Sequence, residues 1–270
     1  MLKQRVITGV ILALLVTLGI YFLNSFWFAH VSLVIIILLG GWEWGKLAQA
    51  SEAERWIGLG LGLLLAEAMW FLQPPVWLIG SLGVIVWSVL LYHLFHYRQT
   101  TTYYQDNPHF FKILGFLVLL PAWYSLAKLH DLHYGDVFYL ISLIAFADIG
   151  AYFTGKKLGS IKLAPELSPG KTREGMSGAL ILTFIWAYIG FWFQHLGFGQ
   201  GLLWMLFSLL AVAISVAGDL FESMMKRQAG VKDSGRILPG HGGILDRIDS
   251  LLAAAPILTL GLVLMGAAGA

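Results

Sequence analysis

Leu202–Met224 reads LLWMLFSLLAVAISVAGDLFESM, a continuous apolar run whose only charged residues, Asp219 and Glu222, stand near its end. Such a run is long enough to cross the ~30 Å hydrocarbon core of a bilayer as one α-helix. Its side chains do not alternate between apolar and polar, which argues against a strand of a membrane barrel, and a backbone facing lipid must satisfy its own hydrogen bonds. One residue further on comes KRQAGVKDSGRILPGHGGILDRID, Lys226–Asp249, with five Lys/Arg, three Asp and a glycine-rich turn, before the next apolar run begins.

Runs of the same kind recur along the chain, near 6–24, 27–45, 56–72, 75–95, 113–130, 136–155, 178–196, 202–224 and 247–266. Composition agrees: 58% of the 270 residues are hydrophobic and only 12% charged, and the mean hydropathy of +0.77 lies outside the range of soluble domains. The expected fold is therefore an all-α integral membrane protein of about nine transmembrane helices. Little length remains for a soluble domain, so any chemistry belongs at the membrane face. The absence of Cys excludes disulfides, thiolate catalysis and cysteine-ligated metal centres. The first run follows Lys3 and Arg5, but it is too long for a signal-peptide core and has no small-residue cleavage site before YFLNSFWF, so it reads as a retained anchor.

The 17 Lys and Arg residues test the topology. With nine helices and the N-terminus in the cytoplasm, every one of them except Lys128 falls inside, as the positive-inside rule requires. The C-terminal MGAAGA then faces outward. The last two cytoplasmic loops hold ten of the inside cations, together with most of the loop Gly and Pro: TGKKLGSIKLAPELSPGKTREG and the Lys226–Asp249 stretch. Cations beside a membrane also serve simply as headgroup anchors. That role does not explain the carboxylates. Asp148 in AFADIGAYF, Asp219 and Glu222 in VAGDLFESMMKR, and Asp246 and Asp249 in DRIDS all fall at cytoplasmic helix ends, and charges at membrane depth usually face a cavity and mark function.

Asp219, Glu222, Ser223 and Lys226 share one face of the eighth helix at i, i+3, i+4 and i+7. Asp246 and Asp249 are one turn apart in the ninth, where favourable helix-dipole contacts offer a plainer explanation. Carboxylates next to a Lys/Arg cluster match the needs of a divalent cation and phosphate site: hard oxygens hold the metal and cations take the remaining phosphate charge. Glycines in PGHGG allow positive φ and close backbone approach, and the start of the ninth helix offers free N–H groups to an anion. SPGKTREG repeats the arrangement before the seventh helix, yet it lacks the upstream glycine and preceding strand of a Walker A loop, and that reading is rejected. His241 reads as a phosphate ligand, a proton carrier or a loop hydrogen-bonder.

Ser223–Asp249 resembles the signature of the phosphatidate cytidylyltransferases, or CDP-diacylglycerol synthases. That signature runs Ser, two residues, Lys-Arg, four residues, Lys-Asp, a small residue, an apolar-Pro pair, His-Gly-Gly and Asp-Arg-apolar-Asp. Ser223, Lys226, Arg227, Lys232, Asp233, Gly235, Leu238, Pro239, His241, Gly242, Gly243, Asp246, Arg247, Ile248 and Asp249 meet it without a departure. DIGAYFTGK and SPGKTREG also look like that family, whereas the first five runs match only as apolar spans. The implied organisation is residues 1–135, five N-terminal membrane helices, and 136–270, a catalytic membrane region of four helices and two cytoplasmic loops.

The resemblance implies the reaction of CTP with phosphatidate to give CDP-diacylglycerol and pyrophosphate for phospholipid biosynthesis. It implies Mg²⁺, with a second cation admitted, in the cytoplasmic membrane of a bacterium with the active site facing the cytoplasm. The expected partners are CTP, phosphatidate and the bilayer; a homodimer is admitted and nucleic acid is not expected. The expected metal ligands are Asp219 and Asp246, with Asp249 and Asp148 in reserve. Asp219, Asp246, Lys226 and His241 are the expected catalytic residues, and Lys171, Ser223, Arg227, Lys232, Asp233, Gly242, Gly243 and Arg247 the expected substrate contacts. Two rival readings share part of this pattern. A CTP-dependent lipid or polyprenol kinase needs the same nucleotide site, and a cation-coupled transporter also buries Asp, though usually near the midplane between inverted repeats.

Overall fold

A computed structural model describes residues 2–96 and 107–266. Arg98 and the last residues of MGAAGA, which entered the topology reasoning, lie outside the described residues, as do the side chains of Lys3 and Arg5. The elements are α1 Leu2–Phe22, α2 Ser25–Leu47, α3 Glu52–Leu72, α4 Val76–Phe95, α5 Pro108–Leu132, α6 Tyr134–Leu158, β1 Lys162–Ala164, β2 Ser168–Thr172, α7 Arg173–Phe193, α8 Phe198–Gln228 and α9 Leu245–Leu264. Nine helices among the described residues thus answer nine expected runs. Eight are long and apolar enough to cross a membrane, and the ninth contributes the shorter apolar stretch Val6–Phe22 of α1. The chain is a multi-pass helical membrane protein.

Local chemistry sets the helix ends. Asn24 accepts a hydrogen bond from the Trp27 N–H at 3.0 Å and starts α2. Ser51 and Glu54 form a reciprocal capping box at the start of α3, and Gln73, in the left-handed region at φ 48°, ends that helix before Pro74 and Pro75. The interior of α2 departs from a plain α-helix: Val34–Gly40 is a π-helical segment. A π turn carries more residues than an α turn, so the face presented after Gly40 is rotated relative to the face before it.

The core lies around α5 and α9. Within their apolar windows 72% and 61% of residues are buried, against 17% for α3 and 22% for α7, which therefore sit at the lipid-facing periphery. α9 packs against α8 on one side and α4 and α5 on the other. Small residues permit the closest approaches, as helix packing in lipid requires. A Cβ on Gly150 of α6 would lie 2.5 Å from the Gly178 carbonyl oxygen of α7, and one on Gly218 of α8 would lie 2.5 Å from the Asp249 carbonyl oxygen of α9.

Among the described residues Lys and Arg, though not all of the acids, gather at one end of the bundle. Thr8 of α1 donates to the Pro239 carbonyl at 3.2 Å, Lys112 of α5 pairs with Glu54 of α3 at 2.6 Å, and Lys171 pairs with Asp219 at 2.6 Å. At the opposite end Lys128 meets Asp131 at 3.2 Å, and His130 is 3.0 Å from the Ile20 carbonyl oxygen. Lys128, the single cation expected outside, is the one Lys or Arg at that end among the described residues. The 31 residues of α8 extend about 46 Å, well beyond a ~30 Å hydrocarbon core. Asp219 stands about 30 Å along that axis from Phe198, so Asp219 to Gln228 emerge at the polar boundary.

Candidate active site

A small hairpin, not anticipated from the sequence, fixes the first cation. β1 and β2 pair antiparallel, Lys162 opposite Thr172 and Ala164 opposite Ser168. Thr172 then caps α7 by accepting from the Gly175 N–H at 3.1 Å, and Glu174 accepts from the Ile161 N–H at 3.1 Å, closing the loop on the helix. Lys171 is therefore held between a strand and a helix start. It reaches across to α8 and pairs with Asp219, the two side chains being 25% and 38% exposed. Asp219, Lys171 and Asp148 line one cavity of about 350 Å³, with Ser215, Ser250 and Lys156 around it. Asp148 and Asp249 each interact electrostatically with both Asp219 and Lys171. Gly218 makes this possible, because only a residue without a side chain lets α9 bring Asp249 so near α8.

Lys226 occupies a different environment. Its ammonium lies 2.5 Å from Glu222 and 2.6 Å from Asp246, and the three side chains are only 14%, 7% and 6% exposed. The other oxygen of Asp246 accepts from the Ser234 N–H at 2.9 Å and the Gly243 N–H at 2.8 Å, with the Ser234 hydroxyl also 2.9 Å away. Asp246 is thus engaged at both oxygens, in the first turn of α9. Ser223 approaches Asp219 only at 3.5 Å.

The glycine-rich loop forms a second, open cavity of about 500 Å³, lined by Lys232, Asp233, Arg236, His241, Gly242 and Arg247. Gly240 and Gly242 take φ of 76° and 84°, a region closed to most side chains, and the Leu238 N–H donates to the Gly242 carbonyl at 2.9 Å to close the turn. The His241 imidazole rests over Gly9 of α1, and its Nδ1 is buried without a partner among the described residues. Arg247, which could have paired with a carboxylate, instead donates Nε to the His241 carbonyl at 3.2 Å. Arg227, Lys232 and Arg236 are exposed and form no ion pair among the described residues.

Sequence reasoning missed three residues. Arg236 had been counted only for topology, yet it lines the loop cavity. Lys156 enters the sequence reading only as one of the loop cations, yet it borders the cavity of Asp148 and Asp219. Glu43 of α2 had no signal at all: it is 1% exposed and accepts from the Ser234 hydroxyl at 3.0 Å and the Leu245 N–H at 2.9 Å. A lone Glu in a run of Trp and Gly offers no spacing to read.

Among the described residues, no three His, Asp or Glu side chains converge closely enough to bind a metal ion by themselves. What the geometry does offer is two carboxylates, Asp148 and Asp219, on one cavity with Lys171 and Lys156, beside a basic glycine-rich loop. Mg²⁺ commonly takes one or two carboxylates and completes its octahedron with substrate phosphates and water, so this donor set fits a nucleotide-bound Mg²⁺ better than a resident ion.

The sequence is 38% identical to a phosphatidate cytidylyltransferase of Pseudomonas aeruginosa over the whole of this chain and 98% of the relative. It is 34% identical to one of Haemophilus influenzae, covering 96% of this chain and 98% of the relative, and 35% identical to one of Bacillus subtilis, covering 95% and 96%. The model of the Cytidylyltransferase family matches residues 3–265. A match over that length takes in the N-terminal helices as well as the charged loops, and the chain belongs to the cytidylyltransferase family.

Proposed function

We propose that this chain transfers the cytidylyl group of CTP to phosphatidate, giving CDP-diacylglycerol and pyrophosphate, at the cytoplasmic face of a bacterial inner membrane. Family membership makes it a nucleotidyltransferase, and relatives matching nearly its full length carry the name phosphatidate cytidylyltransferase. The observation that carries the reading to particular atoms is the cavity in which Lys171, Lys156, Asp148 and Asp219 face one another at the polar end of α6 and α8. A soluble triphosphate and a lipid phosphate can both reach such a boundary.

The chemistry asks for little proton transfer. A phosphate oxygen of phosphatidate, already ionised near neutrality, attacks the α-phosphorus of CTP. The new P–O bond forms as the bond to the bridging oxygen breaks, and that oxygen leaves on pyrophosphate. The difficulty is to hold two polyanions together in line, so positioning and charge neutralisation supply most of the rate. Asp219 and Asp148, with Asp249 nearby in α9, would hold Mg²⁺, which would neutralise phosphate charge and polarise the phosphoryl oxygens. Lys171 and Lys156 take further phosphate charge in the cavity. Arg227 in the last turn of α8, and Lys232 and Arg236 in the loop, are exposed and without an ion pair among the described residues, and can meet the remaining oxygens. Gly242 and Gly243 shape that loop, and Lys226 holds Asp246 and Glu222 in register beneath it.

The test uses purified protein in detergent with cytosine-labelled CTP, phosphatidate and Mg²⁺. Label appearing in the organic phase, with release of pyrophosphate, supports the reading. A CTP-dependent kinase would leave the cytosine in water, release CDP and phosphorylate a lipid alcohol. Phosphorylated alcohol with no labelled lipid would overturn the proposal.

A further inference from the structure

The N-terminal helices touch the glycine-rich loop from α1, at Thr8 and Gly9, and through one buried carboxylate of α2. Glu43 follows the π segment of α2, which turns its face toward the loop between α8 and α9. One oxygen, Oε2, accepts from the Ser234 hydroxyl and the Leu245 N–H. The other, Oε1, is buried with no partner among the described residues. The loop is shaped around this group. A Cβ on Gly235 would lie 2.0 Å from Oε1, and one on Gly243 would lie 2.4 Å from Oε2. Gly243, which sequence reasoning placed against a phosphate, thus faces a carboxylate of the protein itself, and so does Gly235.

Ser234 is the shared element. Its hydroxyl oxygen is 3.0 Å from Glu43 and 2.9 Å from Asp246, while its N–H donates to Asp246 at 2.9 Å. A hydroxyl carries a single proton to donate, so the two carboxylates compete for it. Holding Ser234 from one side therefore sets where Asp246 sits on the other, and Asp246 in turn receives Lys226 and the Gly243 N–H. From this geometry we infer that Glu43 is a positioning residue of the transfer reaction: through Ser234 and the Leu245 N–H it fixes Asp246 and, through Asp246, the His241–Gly243 turn that faces the substrate phosphates. It touches no substrate. A misplacement of about 1 Å in such a framework can cost up to 10²-fold in rate.

Position and charge make opposite demands on the variants. Glu43→Gln keeps the length and an acceptor oxygen where Oε2 lies, whereas Glu43→Asp keeps the charge and withdraws it by one methylene. A positioning role ranks Gln above Asp in kcat; a charge role ranks Asp above Gln. This inference rests on the cytidylyl-transfer reading, and formation of CDP-lipid by the wild-type protein tests that reading separately.

The experiment measures kcat and both KM values in mixed micelles, with the thermal unfolding midpoint in the same detergent, for Glu43→Gln, Glu43→Asp, Ser234→Ala and the Glu43→Asp/Ser234→Ala pair. Expected is a loss of at least tenfold in kcat for Glu43→Asp and for Ser234→Ala, with KM for CTP and phosphatidate within twofold and most of kcat kept by Glu43→Gln. The double variant should be no slower than the slower single one, because both act through one link. Multiplying losses in the pair, Asp outperforming Gln, or a Glu43→Asp variant as fast as wild type would each overturn the inference. Should Glu43→Asp not fold, the Glu43→Gln/Ser234→Ala pair decides: a positioning link predicts that it matches Ser234→Ala alone, and a further tenfold loss refutes it.

Discussion

Two lysines, Lys171 and Lys226, look interchangeable in the sequence, and the same substitution should separate them. Lys226→Met keeps a linear side chain and removes the ammonium that joins Glu222 and Asp246 at 2.5 and 2.6 Å. With side-chain exposures of 14%, 7% and 6%, water screens this triad little, so two carboxylates are left close together and uncompensated. Removing one partner of such a buried pair costs about 3–5 kcal/mol. Lys171→Met breaks one contact at 2.6 Å between groups 25% and 38% exposed, where water screens the charges and the cost is about 1 kcal/mol or less. Kinetics should run the other way for the surviving protein, with Lys171→Met raising KM for CTP or lowering kcat at least tenfold at a nearly unchanged unfolding midpoint. The assay pairs denaturant unfolding in detergent with initial rates on both substrates at fixed lipid charge. A Lys226→Met protein as stable as wild type, with only KM altered, would show that this ammonium meets substrate phosphate rather than bridging two helices.

Asp219→Asn should abolish turnover, by about 10²-fold or more, while leaving the protein inserted and folded; near wild-type rates at saturating Mg²⁺ would remove Asp219 from the metal site. Gly242→Ala should disrupt the loop, since φ is 84° and the new Cβ would lie 2.6 Å from Asp246, whereas Gly60→Ala, on peripheral α3, meets nothing within 4 Å and should be silent. Equal activity in the two alanine variants would contradict the loop geometry. Because the chain has no Cys, single cysteines report topology directly: Lys232→Cys should react from the cytoplasm and Gln194→Cys from outside, and the reverse pattern would invert the orientation. A C-terminal reporter after Ala270 is expected outside, and a cytoplasmic signal there would require a different number of crossings.

The nine helices among the described residues, eight of them long and apolar enough to cross a membrane, were legible because a bilayer imposes one length and one polarity on every crossing. The runs near 178–196 and 202–224 became α7 and α8 with only their ends adjusted. The one-sided placement of Lys and Arg was legible for the same reason, and the described cations do gather at one end of the bundle, with Lys128 at the other. Regular spacing also exposed the Glu222–Lys226 pair, since i and i+4 meet on any helix. The β1–β2 hairpin was not legible, because SIKLAPELSPGKT carries no alternation strong enough to mark two short strands. Nor did the motif distinguish its own members: Arg227 and Lys232 emerged exposed, while Lys226 and Asp246 emerged buried against each other.

By itself, then, the sequence determined the membrane-spanning architecture and the place of the charged loops, because hydrophobic length, charge bias and helical period are properties of residues near one another in the chain. Only the tertiary structure decided which carboxylate answers which cation. Asp219 belongs to Lys171 from the hairpin, Asp246 to Lys226 twenty residues away, and the loop around Ser234 and Gly243 to Glu43, whose hydrogen-bond partner Leu245 is 202 residues distant. Such pairings depend on how closely Gly218 and Gly150 let helices approach and on how a π turn rotates α2. Those are distances in space, and no local pattern of residues carries them.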